Sequence, residues 1–345
     1  MSGPPTHVTL TQVAEASGVS LATASYSLRN DRRIPRVTAA RVQTAAKRLG
    51  YRPNPRVSAL MAHIRQAQPV TVGERIALLW IDASPGERPY QRIFDGAKDR
   101  AIQLGYSLEE FWCSTPGVSA RRLQQILHSR GITGLLISPS CRPEPGFRID
   151  WNWNLFSAAV IGTAESEPEL HHSAHHHYGG MRLALLQLLA MGKRRIVGLL
   201  DKTIEERARR AWSAAFLAHH PLTNRAWEFL AQENPHKLSH LASWIRQRKP
   251  DAIVGLREII ETLLDRGWRP PPKTPVILLD WGPNPRDFGG IDQGEEVVAT
   301  NAVDLVAGQL QHNEQGVPEH VKMLLYTGRW MAGNKTSPLI PPPAD

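Results

Sequence analysis

Cysteine is nearly absent: Cys113 and Cys141 are the two in 345 residues. Two thiols cannot staple a disulfide scaffold or fill a four-thiolate zinc site, so a reducing cytoplasmic setting is expected. Long apolar runs are missing as well. The longest, Ile76-Ala77-Leu78-Leu79-Trp80-Ile81, suits a buried strand and falls far short of the about 20 residues that cross a bilayer. The opening stretch Met1–His7 has neither a basic nor an apolar region, so no secretory signal is expected. Catalytic signatures are lacking too: there is no Walker A loop, no G-x-S-x-G, no G-x-G-x-x-G after a candidate strand and no H-E-x-x-H. An enzyme is therefore not expected, and no catalytic residue, cofactor or metal ligand is assigned.

What is present is an uneven charge. The net charge is +9, and the first 66 residues hold ten Lys and Arg against two acids, Glu15 and Asp31. The remaining 31 bases and 30 acids nearly cancel. A basic segment of this kind suits a polyanionic partner; the competing reading is a solvated basic tail. Its patterning is not that of a tail. Thr9 and Gln12 have the spacing of a capping box, Leu10, Val13 and Ala14 give one apolar face, and Gly18 closes a first helix. Ser20 is a good N-cap for a second helix, Leu21 to Leu28, with Ala24 and Leu28 inward. Pro35 starts a third, which runs through Val42, Ala45, Ala46 and Leu49 to Gly50. After Tyr51-Arg52-Pro53-Asn54-Pro55 a short helix from Arg56 to about Ile64 is expected, then a linker, Gln66–Pro69.

From Arg75 onward apolar runs alternate with amphipathic stretches. Strands are expected at 76–81, 107–111, 134–137, 158–161, 196–200, 252–254, 276–279 and 322–325. Helices are expected at 92–104, 120–130, 180–190, 205–218, 236–247, 257–266 and 297–312. This alternation predicts parallel sheets with helices on both faces. About 270 residues are too many for one sheet, so two doubly wound lobes with a ligand cleft at the strand ends are expected. No repeat of fixed period is visible. The Pro-rich end, Ser337 to Pro343, cannot be helical.

A helix, a Gly-containing turn and a second capped helix form a helix-turn-helix pattern, whose second helix enters the major groove. Thr9-Leu10, Val13-Ala14, Gly18-Val19-Ser20, Thr23-Ala24-Ser25 and Tyr51-Arg52-Pro53-Asn54 together resemble the LacI/GalR family of transcriptional regulators. The resemblance implies an N-terminal all-α helix-turn-helix DNA-binding domain (1–53), a hinge helix and linker (54–74), a two-lobed α/β domain resembling periplasmic binding proteins (75–337) and a Pro-rich tail (338–345). It implies base reading by Leu21, Ala22 and Tyr26, with positioning on phosphates by Thr9, Leu10, Ser20, Thr23, Ser25, Asn30, Tyr51 and Asn54. Leu21 and Ala22 offer apolar contacts that suit a thymine methyl, and Tyr26 offers one hydrogen bond. Many members have Arg where Tyr26 stands, so the operator is expected to differ from theirs. Leu60, with Val57, matches the family's minor-groove hinge, although Val57-Ser58 replace the common Ala-Arg.

For the body, the resemblance implies an effector cleft with Arg207, Arg209, Asp280 and Trp281 as candidates. The landmarks are eroded. An Asn-Asp pair of the family falls on Leu256-Arg257, and its arginine before a Gly-aromatic pair is displaced to Arg207 or Arg209, with Ala211-Trp212 as the pair. A carbohydrate-related effector follows from the resemblance, while these losses argue against a standard free sugar. The run His171-His172-Ser173-Ala174-His175-His176-His177 invites a metal reading, since His172 and His176 would pair on a helix. With no cysteine nearby and no Glu between the two, a structural role is expected over metal or pH sensing. The expected whole is a cytoplasmic, nucleoid-associated, homodimeric repressor of a pseudo-palindromic double-stranded operator. The alternative is a solute-binding protein of the periplasmic type without DNA function.

Overall fold

The computed structural model describes residues 8–28, 34–51, 74–139, 146–233, 240–282 and 288–333. The chain forms two compact units, Met1–Val72 and Gly73–Asp345.

The first unit contains α1 (Leu10–Ser17), α2 (Leu21–Leu28) and α3 (Arg36–Leu49). The capping box forms as the spacing predicts: Gln12 N–H donates to Thr9 Oγ1 (3.4 Å), and Thr9 N–H donates back to Gln12 Oε1 (2.8 Å). Gly18 takes φ 63°, a left-handed cap that lets the chain reverse into α2. Ser20 Oγ accepts from Thr23 N–H at 3.1 Å and so starts α2. Pro35 sits at the N-cap of α3, so the helix starts at Arg36, one residue later than expected. Val13, Ala14, Ala24, Val42 and Ala46 are buried together, with Val8, Leu10, Val19, Leu28, Leu49 and Tyr51 packed on them. The expected hinge segment, including Asn54, Val57 and Leu60, lies outside the described residues, as do Asn30 and the Pro-rich tail.

The second unit begins with β1 (Arg75–Trp80), α4 (Gln91–Gln103), β2 (Ser107–Trp112), α5 (Ala120–Ser129) and β3 (Gly134–Ile137). Then come β4 (Gly146–Arg148), β5 (Ser157–Ile161), β6 (Glu165–Glu167) and β7 (His171–His175). The next group is α6 (His177–Ala190), β8 (Ile196–Asp201), α7 (Lys202–Arg207), α8 (Ala211–His219), β9 (Leu230–Glu233), α9 (Leu241–Arg248), β10 (Ala252–Gly255), α10 (Arg257–Asp265), β11 (Val276–Leu278) and β12 (Gly289–Asp292). Last are α11 (Glu295–His312), β13 (Met323–Tyr326) and β14 (Arg329–Met331).

Two six-stranded sheets result, ordered β13-β7-β5-β3-β1-β2 and β14-β12-β11-β10-β8-β9. The first is parallel throughout; in the second, β14 runs antiparallel to β12. Both lobes use the same winding: the entering strand has its successor on one side and the rest of the sheet on the other. So the second lobe repeats the first topologically, although the sequence shows no periodicity. The chain crosses between lobes three times, at His176, at Gln293-Gly294 and at Thr327-Gly328. After the second crossing, α11 packs against α4 of the first lobe. A Cβ on Gly96 would lie 2.6 Å from the Glu296 carbonyl oxygen, so glycine permits this close helix approach.

The structure departs in three places from the elements read in the sequence. The helix foreseen over 205–218 is two helices, because Arg209 and Arg210 take φ 54° and 57°. Glu205 holds the break: its carboxylate accepts from Ser213 N–H (2.9 Å) and its carbonyl from Arg210 N–H (2.8 Å). The run His171–His175 is a strand, so His172 and His176 do not form an i, i+4 pair on a helix. The short strands β4, β6, β9, β12 and β14 have too few residues to show a pattern and went unforeseen.

Candidate nucleic-acid interface and interlobe cleft

On the head, α2 carries Leu21 and Ala22 on its exposed side, while Ala24 and Ser27 face the core. Leu21 is 47% exposed, a large apolar side chain left in solvent at the first position of a helix. Tyr26 is half-buried. The Ser20 and Thr23 hydroxyls lie 2.8 Å apart, so the N-terminus of α2 presents a bonded hydroxyl pair beside its free amides. Ser27 Oγ donates to Thr23 O at 2.7 Å, and Gln43 Nε2 of α3 donates to Ser27 O at 3.4 Å, which pins α2 on α3. Arg36, Arg41, Lys47 and Arg48 are exposed along α3. Thr9 is exposed and occupied by its cap, whereas Leu10 and Tyr51 pack on the core, and Tyr51 N–H donates to Ala46 O at 2.9 Å. The exposed Leu21 and Ala22 and the amides at the start of α2 thus lie on one helix, whose orientation is set by a small core.

The body has a cavity of about 280 Å³ between the lobes. Lobe one supplies Tyr90 and Ile93 near the start of α4, the turn after β5 and the first residues of α11. Lobe two supplies Arg207, Trp212, Leu256 and Asp280. Of the four expected effector residues, Arg207 and Asp280 line this cavity. Arg209 falls at the break between α7 and α8, outside the lining. Trp281 packs on the second-lobe core, its Nε1 donating to Phe288 O at 2.9 Å. Asp280 accepts Arg257 N–H at 2.8 Å, and burial pushes its carboxyl above the usual range. Thr163 Oγ1 donates across the cleft to Arg207 O at 3.0 Å.

The cleft floor is built by residues the sequence reading assigned to structure. His175 and His177 line it, their rings 5.1 Å apart, and His177 lies 4.2 Å from the Trp212 ring. Burial lowers His175 to about 4, with His176 adding to the effect, and lowers His177 well below its ordinary value. Both are therefore neutral at pH 7. The rest of the run is bonded into the sheet: His172 Nδ1 meets Gly162 O at 3.0 Å, and His171 Nδ1 accepts Lys322 N–H at 3.1 Å. Among the described residues, no three His, Cys, Asp or Glu side chains are grouped to hold a metal ion.

Beside the crossings, Asp292 is 2% exposed and bonded on both oxygens. Arg92 of lobe one and Gly294 N–H donate to Oδ1, and Arg329 donates to Oδ2, all at 3.0 Å. Arg92 also grips Glu296 through two bonds of 2.6 and 2.7 Å. The burial of Asp292 works against its charge, yet these donors hold its pKa below the usual value.

Among the described residues, no helix is long and apolar enough to cross a membrane. Residues 9–54 match the model of the bacterial regulatory proteins of the lacI family. The HTH-type transcriptional regulator PtxS of Pseudomonas plecoglossicida is 32% identical over 142 residues, which are 40% of this chain and 38% of that protein. The ribose operon repressor of Escherichia coli K12 is 28% identical over 200 residues, 56% of this chain and 57% of the repressor. The matches thus span about half, or less, of these relatives' length. A solved complex of the transcriptional regulator CelR with cellobiose has the same fold, with TM-score 0.53 and 17% identity over 95% of this chain and 100% of that one.

Proposed function

Starting from a chain whose residues 9–54 match the lacI family model, we propose that it is a sequence-specific DNA-binding transcriptional regulator of that family, acting as a repressor. The observation that carries this reading is the head: a doubly capped helix-turn-helix that leaves Leu21 and Ala22 bare at the start of its second helix. Leu21, Ala22 and Tyr26 read base edges. Thr9, Leu10, Ser20, Thr23, Ser25 and Tyr51 position the helix on phosphates. Asn30, Asn54 and the 54–74 hinge, with Val57 and Leu60 toward the minor groove, complete the interface in this proposal. The protein works as a cytoplasmic, nucleoid-associated homodimer on two half-sites and catalyses no reaction. A small-molecule effector in the interlobe cleft, with Arg207 and Asp280 in contact, selects one lobe arrangement and so sets DNA affinity. The complex of CelR with cellobiose and the ribose operon repressor support a carbohydrate-related ligand. The solute-binding alternative leaves the head without a purpose.

The test is retention of genomic fragments by the purified protein over a range of salt concentrations. Site-specific retention that falls steeply with salt is expected. Retention without preference for any fragment defeats the proposal.

A further inference from the structure

Where the resemblance leads one to look for hydroxyl-reading groups, the cleft offers something else. The expected amide–acid pair is Leu256-Arg257. Leu256 lines the cleft, while the Arg257 guanidinium is turned to the carbonyls of Asp280 (3.4 Å) and Gly282 (2.9 Å). In place of that pair stand two carboxyl groups, one from each lobe: Asp280 just after β11 and Glu295 at the first position of α11. Burial raises both, and the charges of Glu296, Asp292 and Asp280 push Glu295 further up, against Arg92. For Asp280, Glu261 adds to the rise and Arg257 opposes it. Arg92 is committed to Asp292 and Glu296. Arg207 is the remaining guanidinium in the lining, so two carboxyls face one fixed cation, and His175 and His177 contribute no charge at pH 7.

A second observation points to a ligand. Trp212 is 2% exposed, lines the cleft, and its Nε1 has no hydrogen-bond partner; neither has His177 Nδ1 beside it. A buried indole N–H without an acceptor is costly unless something arrives to accept from it. The other walls, among them Ile93, Ile161 and Val298, are apolar.

We infer that the effector, on the reading that this cleft takes one, is a small organic cation: an amine or amidine whose nitrogen is held by Asp280 and Glu295 and which offers an acceptor atom to Trp212 Nε1. Burial disfavours charge on both carboxyls; a cation between them stabilises their ionised forms and joins the two lobes, so its binding favours closure. A neutral polyol supplies hydroxyls but leaves the two acids unbalanced.

The experiment uses the full chain and three matched pairs that differ in charge: tyramine and tyrosol, glucosamine and glucose, 5-amino-1-pentanol and 1,5-pentanediol. Calorimetry and thermal shift are read at about pH 7.5, then at falling pH. At least one amine is expected to bind about tenfold or more tightly than its alcohol. That preference should fade as acid protonates the two carboxyls, and E295Q should remove most of it. E295Q should melt no lower than the parent without ligand, because it relieves a buried acid. D280N gives a second, independent loss of preference. Alcohols binding as well as amines, no binding by any of the three amines, or an undiminished preference in E295Q overturns the inference. Operator retention is measured on the same preparations. Retention without amine preference sinks this inference alone, and amine preference without retention sinks the DNA reading alone.

Discussion

In the head, the core cluster is Val13, Ala14, Ala24, Val42 and Ala46, with no side chain larger than valine. The body buries Trp80, Trp212, Phe156 and Phe216 almost completely. The head compensates for a thin core with local bonds: a capping box, a left-handed Gly18 turn, a serine cap on α2 and a left-handed Gly50. The body relies on pairing between strands far apart in sequence and on charged struts such as Arg92–Asp292, which join residues 200 apart. A domain of about 60 residues is marginal even when well packed. The part assigned to DNA is thus the part nearest its stability limit, and the two units should respond to different perturbations.

The largest separation is expected from acid. The histidines buried in the body have lowered pKa values, so the folded body favours their neutral form. Stability from this source is complete above the ordinary value of 6.5 and is lost as pH falls, down to about 4 for His175. His175 alone contributes up to about 3 kcal/mol over that window. The described head contains no histidine. Melting curves between pH 7 and 4 should show the body's transition fall well before the head's, and His175→Leu should flatten the dependence. A body whose melting point is level across this range contradicts the comparison.

Val42→Ala is the next largest, at about 2–3 kcal/mol. In so thin a core this should unfold most of the head, abolish operator retention and leave the body's melting point unchanged. Proteolysis that leaves the head intact in this variant would show its core to be thicker than the cluster suggests.

Asp292→Asn should cost about 1–2 kcal/mol, limited because Arg92 and Arg329 are partly in solvent. The lowered pKa of Asp292 adds stability above the ordinary carboxylate value of 3.8 and loses it as pH falls through the folded value. The loss should appear in the body's melting and disappear in Arg329→Met, Asp292→Asn double-mutant comparisons to the extent that the pair is coupled. The smallest effect is Thr9→Ala, about 1 kcal/mol, visible in the head alone.

What was legible in the sequence follows the same division. The helices of the head, with the capping box at Thr9 and Gln12 and the Gly18 and Gly50 stops, stand where their local chemistry puts them, since each cap lies within four residues of what it caps. The long strands and most body helices were readable from their apolar period. The break at Arg209-Arg210 was not, because its cause, the buried Glu205 carboxylate on Ser213 N–H, depends on tertiary burial rather than propensity. In the cleft, Asp280 was visible at a strand end and Arg207 near a displaced landmark. Glu295 reads as an ordinary first-turn acid and His177 as part of a polar run; only the folding of two lobes around them reveals their position. Trp281 follows Asp280 in the sequence, but its indole N–H is claimed by Phe288 O and the ring packs on the second-lobe core rather than lining the cavity.

The three passages of the backbone between the lobes have a practical consequence. Each lobe is assembled from stretches that lie apart along the gene, so no single continuous fragment encodes either one. A protease that severs one passage still leaves two covalent straps in place, and the nicked body should stay in one piece until denatured. Swings of one lobe against the other are confined to rotation about the line through those straps, because sliding would stretch at least one of them.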